Sequence, residues 1–297
     1  MNIDIPLDLY KIFCAVVKEK NMSLAAKQLY ISQPAVSMSV RHLEEKLGKK
    51  LLVRSSKGIR PTTEGAVLYE YLVQALNLIK TAEKKYFELV NFEAGEIRIS
   101  AGDTVINHYL LHYIEAFVNR FPQINVKVTN RMSYETISLL KNGEVDIGFV
   151  NLPVEADDSL VIHECAELND CLVGGSRFEH LKGGIAIKDI NDYPLLLLEV
   201  GSSTRGFLDE YALNNGVMLK PHIEFGSNDL LVSFAKINLG MTFVTREFYQ
   251  GQINNVSLFE IPVYPAPPSR SLGLATLNRV AASNAAIKFA QLMGITL

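Results

Sequence analysis

Apolar positions in the first 65 residues fall into short helical runs separated by turns. Leu9, Phe13, Val16 and Val17 recur at helical spacing and predict an amphipathic helix over 7–20. Asn21 or Ser23 can cap a second helix, in which Ala25, Ala26 and Leu29 make a compact face that another helix can approach closely. Tyr30-Ile31-Ser32 reads as a tight break. Ser32 can accept from the free N–H groups of the next helix, and Pro34 falls in its first turn, where a missing donor costs nothing. Val36, Val40, Leu43 and Leu47 then recur at intervals of four, three and four and face a core. Gln33, Ser37 and Arg41, each four apart, must therefore face away from it.

Two helices joined this way have the geometry of a helix-turn-helix, whose second helix enters the major groove by its N-terminal end. Gln can bond both edge groups of adenine, and Arg can grip guanine or a phosphate. Ser32 and Ser37 are short donors suited to phosphates or base edges. After Gly48, "KKLLVRSSKGIRPTT" reads as a strand, a turn at Ser55-Ser56-Lys57-Gly58 and a second strand. Lys49, Lys50, Arg54, Lys57 and Arg60 stud this hairpin; on a wing beside the groove they would meet phosphates, and otherwise they would simply solvate a surface.

Charge supports the division without proving it. Residues 1–66 carry 11 Lys and Arg against 6 Asp and Glu, whereas the remainder carries 18 against 26. The net of −3 thus hides a basic N-terminal segment on an acidic body, although charge alone fits ordinary surface scatter equally well. Hydrophobic residues at 48% and charged residues at 21% suit a soluble globular chain, and no apolar run approaches the roughly 18 residues needed to span a bilayer. The acidic start MNIDIPLDLYK does not read as a secretory signal. Cys14, Cys165 and Cys171 are an odd number without metal spacing, as expected of buried thiols in a reducing cytoplasm.

Residues 5–65 resemble the winged helix-turn-helix of the LysR-type transcriptional regulators. The resemblance rests on Ala25-Ala26, Leu29, Ser32-Gln33-Pro34-Ala35-Val36-Ser37, Leu43-Glu44, Leu47-Gly48, Arg54 and Thr62-Thr63-Glu64-Gly65. It implies that Gln33, Pro34 and Ser37 contact bases or backbone and that Arg54 lies near phosphate. Met38 departs from the pattern, standing where the family often carries a long polar or basic side chain that touches a base. Leu52 and Pro61 replace the usual Phe and Leu as packing variants. The DNA-binding candidates are accordingly Ser32, Gln33, Pro34, Ser37, Met38, Arg41, Arg54, Lys57 and Arg60.

From Leu68 the apolar positions run Leu68, Leu72, Ala75, Ile79, Ala82, Tyr86 and Leu89, a 3.5-residue period that favours a helix paired with a second copy over one packed on its own globular domain. Asn91 through Gly95 should form a hinge. Beyond it, short apolar strands alternate with helices: "EIRISA" (96–101), a helix over 105–120, "NVKVTN" (125–130), a helix over 134–142 and "VDIGFV" (145–150). A second set contains "PLLLLEV" (194–200), a helix after Ser202, "PHIEF" (221–225), a helix over 229–238 and "GMTFVT" (240–245). "SRSLGLATL" and "AASNAAIKFAQLM" supply a last strand and a closing helix. Such alternation argues for mostly parallel sheets covered on both faces.

This run resembles the effector-binding half of the same family, through "KNGEVDIGFV", "GSSTR", Gly226-Ser227 and "INLGMTFVT". The expected fold is α+β and multi-domain: a winged helix-turn-helix over 1–65, a dimerising linker helix over 66–92 and an effector domain over 93–297. The resemblance implies that this last domain is like a periplasmic binding protein, with one subdomain of 93–162 and 268–297 and another of 163–267. Ligands of open α/β sheets sit at the carboxyl ends of strands, where helix N-termini point into the crevice. That selects Gly102, Asp103 and Thr104, then Ser133, then Ser202, Ser203, Thr204 and Arg205 as an anion cradle, although serines there would serve equally as N-caps. Val150 and Ser227, on matching stretches, complete the set. Asp103 stands where the family commonly has a neutral hydroxyl residue, which favours a ligand carrying an amine, hydroxyl or cationic group over a bare dianion.

Other constellations are weaker. His108 and His112 have a zinc-compatible spacing but no third ligand, and read as surface histidines. Cys165 and Cys171 could form a peroxide-sensing pair, but both lie among apolar residues with no base nearby. "VGGSRFEHLKGG" has the wrong spacing for a dinucleotide site, and neither a Walker loop nor Gly-x-Ser-x-Gly occurs. The expected function is a cytoplasmic, non-enzymatic, effector-controlled transcriptional regulator without cofactor. Its expected partners are double-stranded promoter DNA, a small-molecule carboxylate or amine, and further copies in a homodimer or homotetramer. RNA polymerase is a further candidate, and no membrane is expected. The alternative is a solute-binding or enzymatic α/β protein with an N-terminal DNA-binding module.

Overall fold

A computed structural model describes residues 5–55, 58–90, 95–154, 158–253, 257–278 and 280–297, without the side chains of 54, 55, 81, 84, 85 and 87–90. The chain divides into two compact units, Met1–Val90 and Asn91–Leu297.

The first unit opens with α1 (Leu7–Glu19), α2 (Met22–Gln28) and α3 (Gln33–Leu47). Of the two candidate caps for α2 it is Asn21 that acts, accepting from the Ser23 and Leu24 amides at 2.8 and 3.1 Å. Ser32 caps α3 by accepting from the Ala35 amide at 3.3 Å. Gly48, at φ +70°, ends α3 in the left-handed conformation that glycine adopts without a Cβ penalty. Val36, Val40 and Leu43 are buried against Phe13, Val16 and Ala25, as their spacing requires.

Strands β1 (Leu52–Ser55) and β2 (Gly58–Pro61) form the antiparallel wing, and α4 (Thr63–Val90) follows. Glu44 ties the wing to α3: its buried carboxylate accepts from the Leu51 and Leu52 amides at 2.9 and 3.2 Å and from Lys50 Nζ at 2.7 Å. Thr62 donates to the Lys50 carbonyl and accepts from the Gly65 amide, closing the first turn of α4. A side chain at Gly65 would put its Cβ 2.1 Å from the Leu51 carbonyl oxygen, so only glycine fits that approach.

The apolar stripe of α4 corrects the expected seam. Leu68 and Leu72 pack with Tyr69, Val73 and Leu76 onto the core of their own unit, because the start of α4 lies against α1. Among the described side chains of α4 the large exposed apolar ones are Val67, Tyr71, Leu78, Ile79 and Tyr86, with the exposed Ala75 and Ala82 between them. The Leu89 side chain and residues 91–94 of the expected hinge lie outside the described residues.

The second unit is built on two sheets. The chain runs β3 (Glu96–Ala101), α5 (Asp103–Val105), a π-helical turn (Ile106–Leu110), α6 (Leu111–Arg120), β4 (Asn125–Asn130), α7 (Ser133–Lys141), β5 (Ile147–Asn151) and β6 (Leu160–Leu168). It continues through β7 (Asp170–Gly174), β8 (Ile185–Ala186), β9 (Leu195–Leu198), α8 (Ser203–Asn214), β10 (Pro221–Phe225) and α9 (Asn228–Lys236). The remainder is β11 (Met241–Thr245), α10 (Arg246–Tyr249), β12 (Phe259–Ile261), β13 (Val263–Tyr264), β14 (Arg270–Leu277) and α11 (Asn284–Leu292).

The first sheet has the order β4-β3-β5-β14-β6, parallel through β3, β4 and β5 and antiparallel at β14. The second has the order β10-β9-β11-β7-β12, and β13 pairs with β8. The chain crosses between halves at Asn169 rather than near 162. The reason is that β6 pairs along its whole length with β14 in the first sheet, and β7 begins the second. Ile97, Ile99, Phe149 and Phe289 anchor the first core, while Leu197, Phe243 and Ile261 lie on one face of the second sheet and Val173, Leu231 and Val244 on the other.

Candidate DNA interface and effector cleft

On α3 the buried Val36, Val40 and Leu43 fix which residues point outward. Ser32, Gln33, Pro34 and Arg41 are exposed, Met38 is 71% exposed and Ser37 is half-buried on the same side. Ser32 and Arg41 are already engaged. The Ser32 oxygen serves as the N-cap, and Arg41 Nε donates to Glu45 Oε1 at 2.9 Å, so its charge is shared with a carboxylate one turn on. Arg60 is exposed on β2; Lys57 and the Arg54 side chain lie outside the described residues. Tyr30 is an addition. At φ +54° in the turn before α3 it is 96% exposed. Its place in a break gave no periodic signal that could have marked it.

A cavity of about 240 Å³ opens between the two sheets of the second unit, at the carboxyl ends of β3, β4, β5 and β9. Gly102, Asp103, Thr104, Ser133, Ser202 and Thr204 line it. The four other candidates do not. Val150 is fully buried among Leu140, Val145 and Ala275, because strand alternation turns it to the covered face of β5. Ser203 and Ser227 are half-buried outside the lining. Arg205 points inward along α8, where Nε donates to Asp209 and Nη1 to Glu224 Oε1 and the Leu198 carbonyl, both at 2.6 Å. It braces α8 against β9 and β10 instead of facing the cavity.

The cation at the cleft floor is Arg270. Nε and Nη2 grip Asp170 at 2.6 and 3.0 Å, Nη2 also donates to Thr245 Oγ1 at 2.9 Å, and Nη1 donates to Asn151 Oδ1 at 2.7 Å. Both charged side chains are almost wholly buried, and the pair joins β14 of the first sheet to β7 and β11 of the second. Arg131, Glu135, Glu199, Asn228 and Phe248 also line the cavity. Sequence periodicity places "SRSLGLATL" in a strand but says nothing of the strand 100 residues away that supplies Arg270's partner.

His108 is corrected too. Its ring is 14% exposed and meets Asp229 Oδ1 at 2.8 Å, while Tyr249 and Asn107 donate to the same carboxylate at 2.7 and 3.0 Å. Burial pushes the Asp229 carboxyl upward, but these hydrogen bonds outweigh it and hold the group below its ordinary range. The cluster is a second bridge between the halves, from the π-helical turn to α9 and α10. His112 remains exposed on α6. Burial raises the Cys165 and Cys171 thiols to about 11 and about 12, so both are protonated at neutral pH.

Residues 91–295 match the LysR substrate binding domain, and residues 7–66 match the bacterial regulatory helix-turn-helix protein of the lysR family. The chain belongs to the LysR family of transcriptional regulators. Among its relatives is the HTH-type transcriptional regulator CysL of Bacillus subtilis, 28% identical over 242 residues and spanning 80% of each chain. A probable RuBisCO transcriptional regulator of Porphyra purpurea is 27% identical over 291 residues, 92% of each. In fold, this LysR-type chain is similar to a full-length OxyR variant from Pseudomonas aeruginosa, with a TM-score of 0.71, 20% identity and coverage of 99% and 96%. It is also similar to full-length CbnR complexed with its target DNA, with a TM-score of 0.65, 18% identity and coverage of 98% and 99%. It is thus a LysR-type regulator with a helix-turn-helix DNA-binding domain and an effector-binding domain. Among the described residues, no helix is long and apolar enough to cross a membrane.

Proposed function

We propose that this regulator reads promoter DNA through the outward edge of α3 and the wing, and is controlled by a small molecule held in the 240 Å³ cleft. The observation that carries this reading is the exposed row of Gln33, Pro34, Met38 and Arg41, with half-buried Ser37 beside it, on a capped helix over a buried apolar face. Gln33, Ser37 and Met38 meet base edges, while Arg41, Arg54, Lys57 and Arg60 meet phosphates. Tyr30 joins them beside the turn. In the cleft, Gly102, Asp103, Thr104, Ser133, Ser202 and Thr204 face the effector; Arg205 and Val150 support the walls from behind. The segments divide the work as 1–65 for DNA, 66–92 for pairing and 93–297 for the effector. The protein acts in the cytoplasm without catalysis or a cofactor, at promoters served by RNA polymerase.

Two copies pair through the exposed side of α4, where Val67, Tyr71, Leu78, Ile79 and Tyr86 would otherwise face water. A dimer duplicates α3 and so reads two half-sites; a tetramer would double this again. Fluorescence anisotropy with a fragment upstream of the chain's own coding region tests the reading. Wild type binds in a salt-dependent way, Gln33→Ala relaxes preference for that fragment over scrambled DNA, and Leu78→Glu with Tyr71→Glu gives a monomer with much weaker binding. Equal affinity of wild type for scrambled and upstream DNA would refute it.

A further inference from the structure

The cleft carries more unmatched carboxylate than a cavity for a plain anion would. Arg270 is already paired with buried Asp170, and Glu135 accepts from the Met132 amide at the start of α7. The remaining charged lining groups are Arg131, Asp103 and Glu199. Arg131 donates to the neighbouring Asn130 carbonyl at 2.7 Å and has no carboxylate partner among the described residues. Asp103 turns Oδ1 back to the Thr104 amide and hydroxyl at 2.8 and 3.4 Å, while its Oδ2 has no partner there. The Glu199 carboxylate likewise has no hydrogen-bond or ion-pair partner among the described residues.

An independent feature points to a missing occupant. Thr204 lines the cavity and is nine-tenths buried, yet its hydroxyl has no hydrogen-bond partner among the described residues. Asn228, 7% exposed on the same wall, donates to Thr104 Oγ1 at 3.4 Å, and its side-chain oxygen Oδ1 has no partner among the described residues. Buried polar groups left unmatched are costly, and a polar ligand removes that cost.

We infer that the cleft holds a small amino acid-like zwitterion, its ammonium shared by Asp103 and Glu199 and its carboxylate turned toward Arg131. This rests on the reading of the cleft as the effector site. Asp103 comes from the first half and Glu199 from the second. An ammonium with three donors can engage both walls at once, whereas a carboxylate would meet two like charges. A cavity of about 240 Å³ is on the scale of a small metabolite.

Thermal melting and calorimetry on the full chain test this with the standard L-amino acids, β-alanine and 4-aminobutyrate, each paired with its deaminated acid, and with sulfate. At least one amine-bearing acid should raise the melting temperature by about 2–4 °C at saturating concentration, while its deaminated partner does not. Asp103→Asn and Glu199→Gln should each weaken that binding about tenfold or more, and Thr204→Val less, while Thr204→Val leaves the unliganded melting point unchanged or higher. If Asp103→Asn fails to fold, Glu199→Gln on the exposed rim decides. Silence of every amine-bearing acid at millimolar concentration, equal binding of a deaminated acid or sulfate, or full affinity in Glu199→Gln would overturn the inference. Anisotropy on the upstream fragment reports separately: intact DNA binding beside a silent panel removes the ligand class but leaves the regulator reading standing.

Discussion

The outward face of α3 and the floor of the cleft are both polar, yet they are held in opposite ways. On α3, polar groups are settled by neighbours three or four positions away in the chain and stand in water, with Arg41 77% exposed beside Glu45. On the floor, Arg270 is 3% exposed, and its partners Asp170 and Asn151 lie 100 and 119 positions away. Water can replace a lost partner on α3 and cannot do so around Arg270. Function and stability are therefore separable at the reading surface and joined in the cleft. That suits the two tasks: a reading helix must present side chains to a partner, whereas a cleft must hold two halves in register around its ligand.

The sharpest way to break this comparison is at the floor. Asp170→Asn leaves the Arg270 guanidinium buried without its counter-charge, so it should cost about 3–5 kcal/mol. In urea unfolding the transition of the second unit should move to a much lower midpoint while that of the first unit stays in place. A loss below about 1 kcal/mol would mean that water reaches the pair and that the floor is no different from a surface.

The same contrast explains which parts could be read along the chain. Gln33, Ser37 and Arg41 were legible because helix periodicity and the Ser32 cap are local, and because α3 buries a clean row of Val36, Val40 and Leu43. Strand positions from "EIRISA" to "GMTFVT" were legible for the same reason. Arg205 cannot be placed from the chain alone, because its guanidinium is drawn to Glu224, on a strand whose alignment with β9 no local pattern encodes. His108 reads as a surface group along the chain because its partner, Asp229, is 121 positions away. On α4, spacing alone could not distinguish Leu68 and Leu72, which cover α1, from Tyr71 and Leu78, which stay exposed. Only the docking of the helix start against α1 separates the two stripes.

Glu44 is an intermediate case, a buried carboxylate on the same helix as the exposed outward face of α3. Burial pushes its pKa up, but Lys50 and the Leu51 and Leu52 amides outweigh that and hold the carboxyl below its ordinary range. A folded pKa below the unfolded one contributes stability that is fully present above the unfolded value of about 4.3 and is lost as pH falls through the folded value. The first unit's melting temperature should therefore drop on acidification through that window. Glu44→Gln should lower stability at neutral pH by about 1–3 kcal/mol and flatten the acid limb. An unchanged acid limb would show that the carboxylate does not hold the wing to α3.

The smallest stability effect belongs to Arg41, and it sharpens the comparison most. Its pair with Glu45 is exposed and one helical turn long, so Arg41→Ala should change stability by no more than about 0.5 kcal/mol. The same substitution removes one cation from the reading edge. If Arg41 meets a phosphate, affinity for the upstream fragment should fall across all sequences and the slope of log K against log salt should become shallower by about 0.9. If it meets guanine instead, the loss should concentrate on one base position, at about 1–3 kcal/mol of discrimination. A variant that melts like wild type and loses DNA in either way would show that the surface is built for its partner alone. A variant that keeps both affinity and slope would remove Arg41 from the interface and leave the Glu45 pair as its whole role.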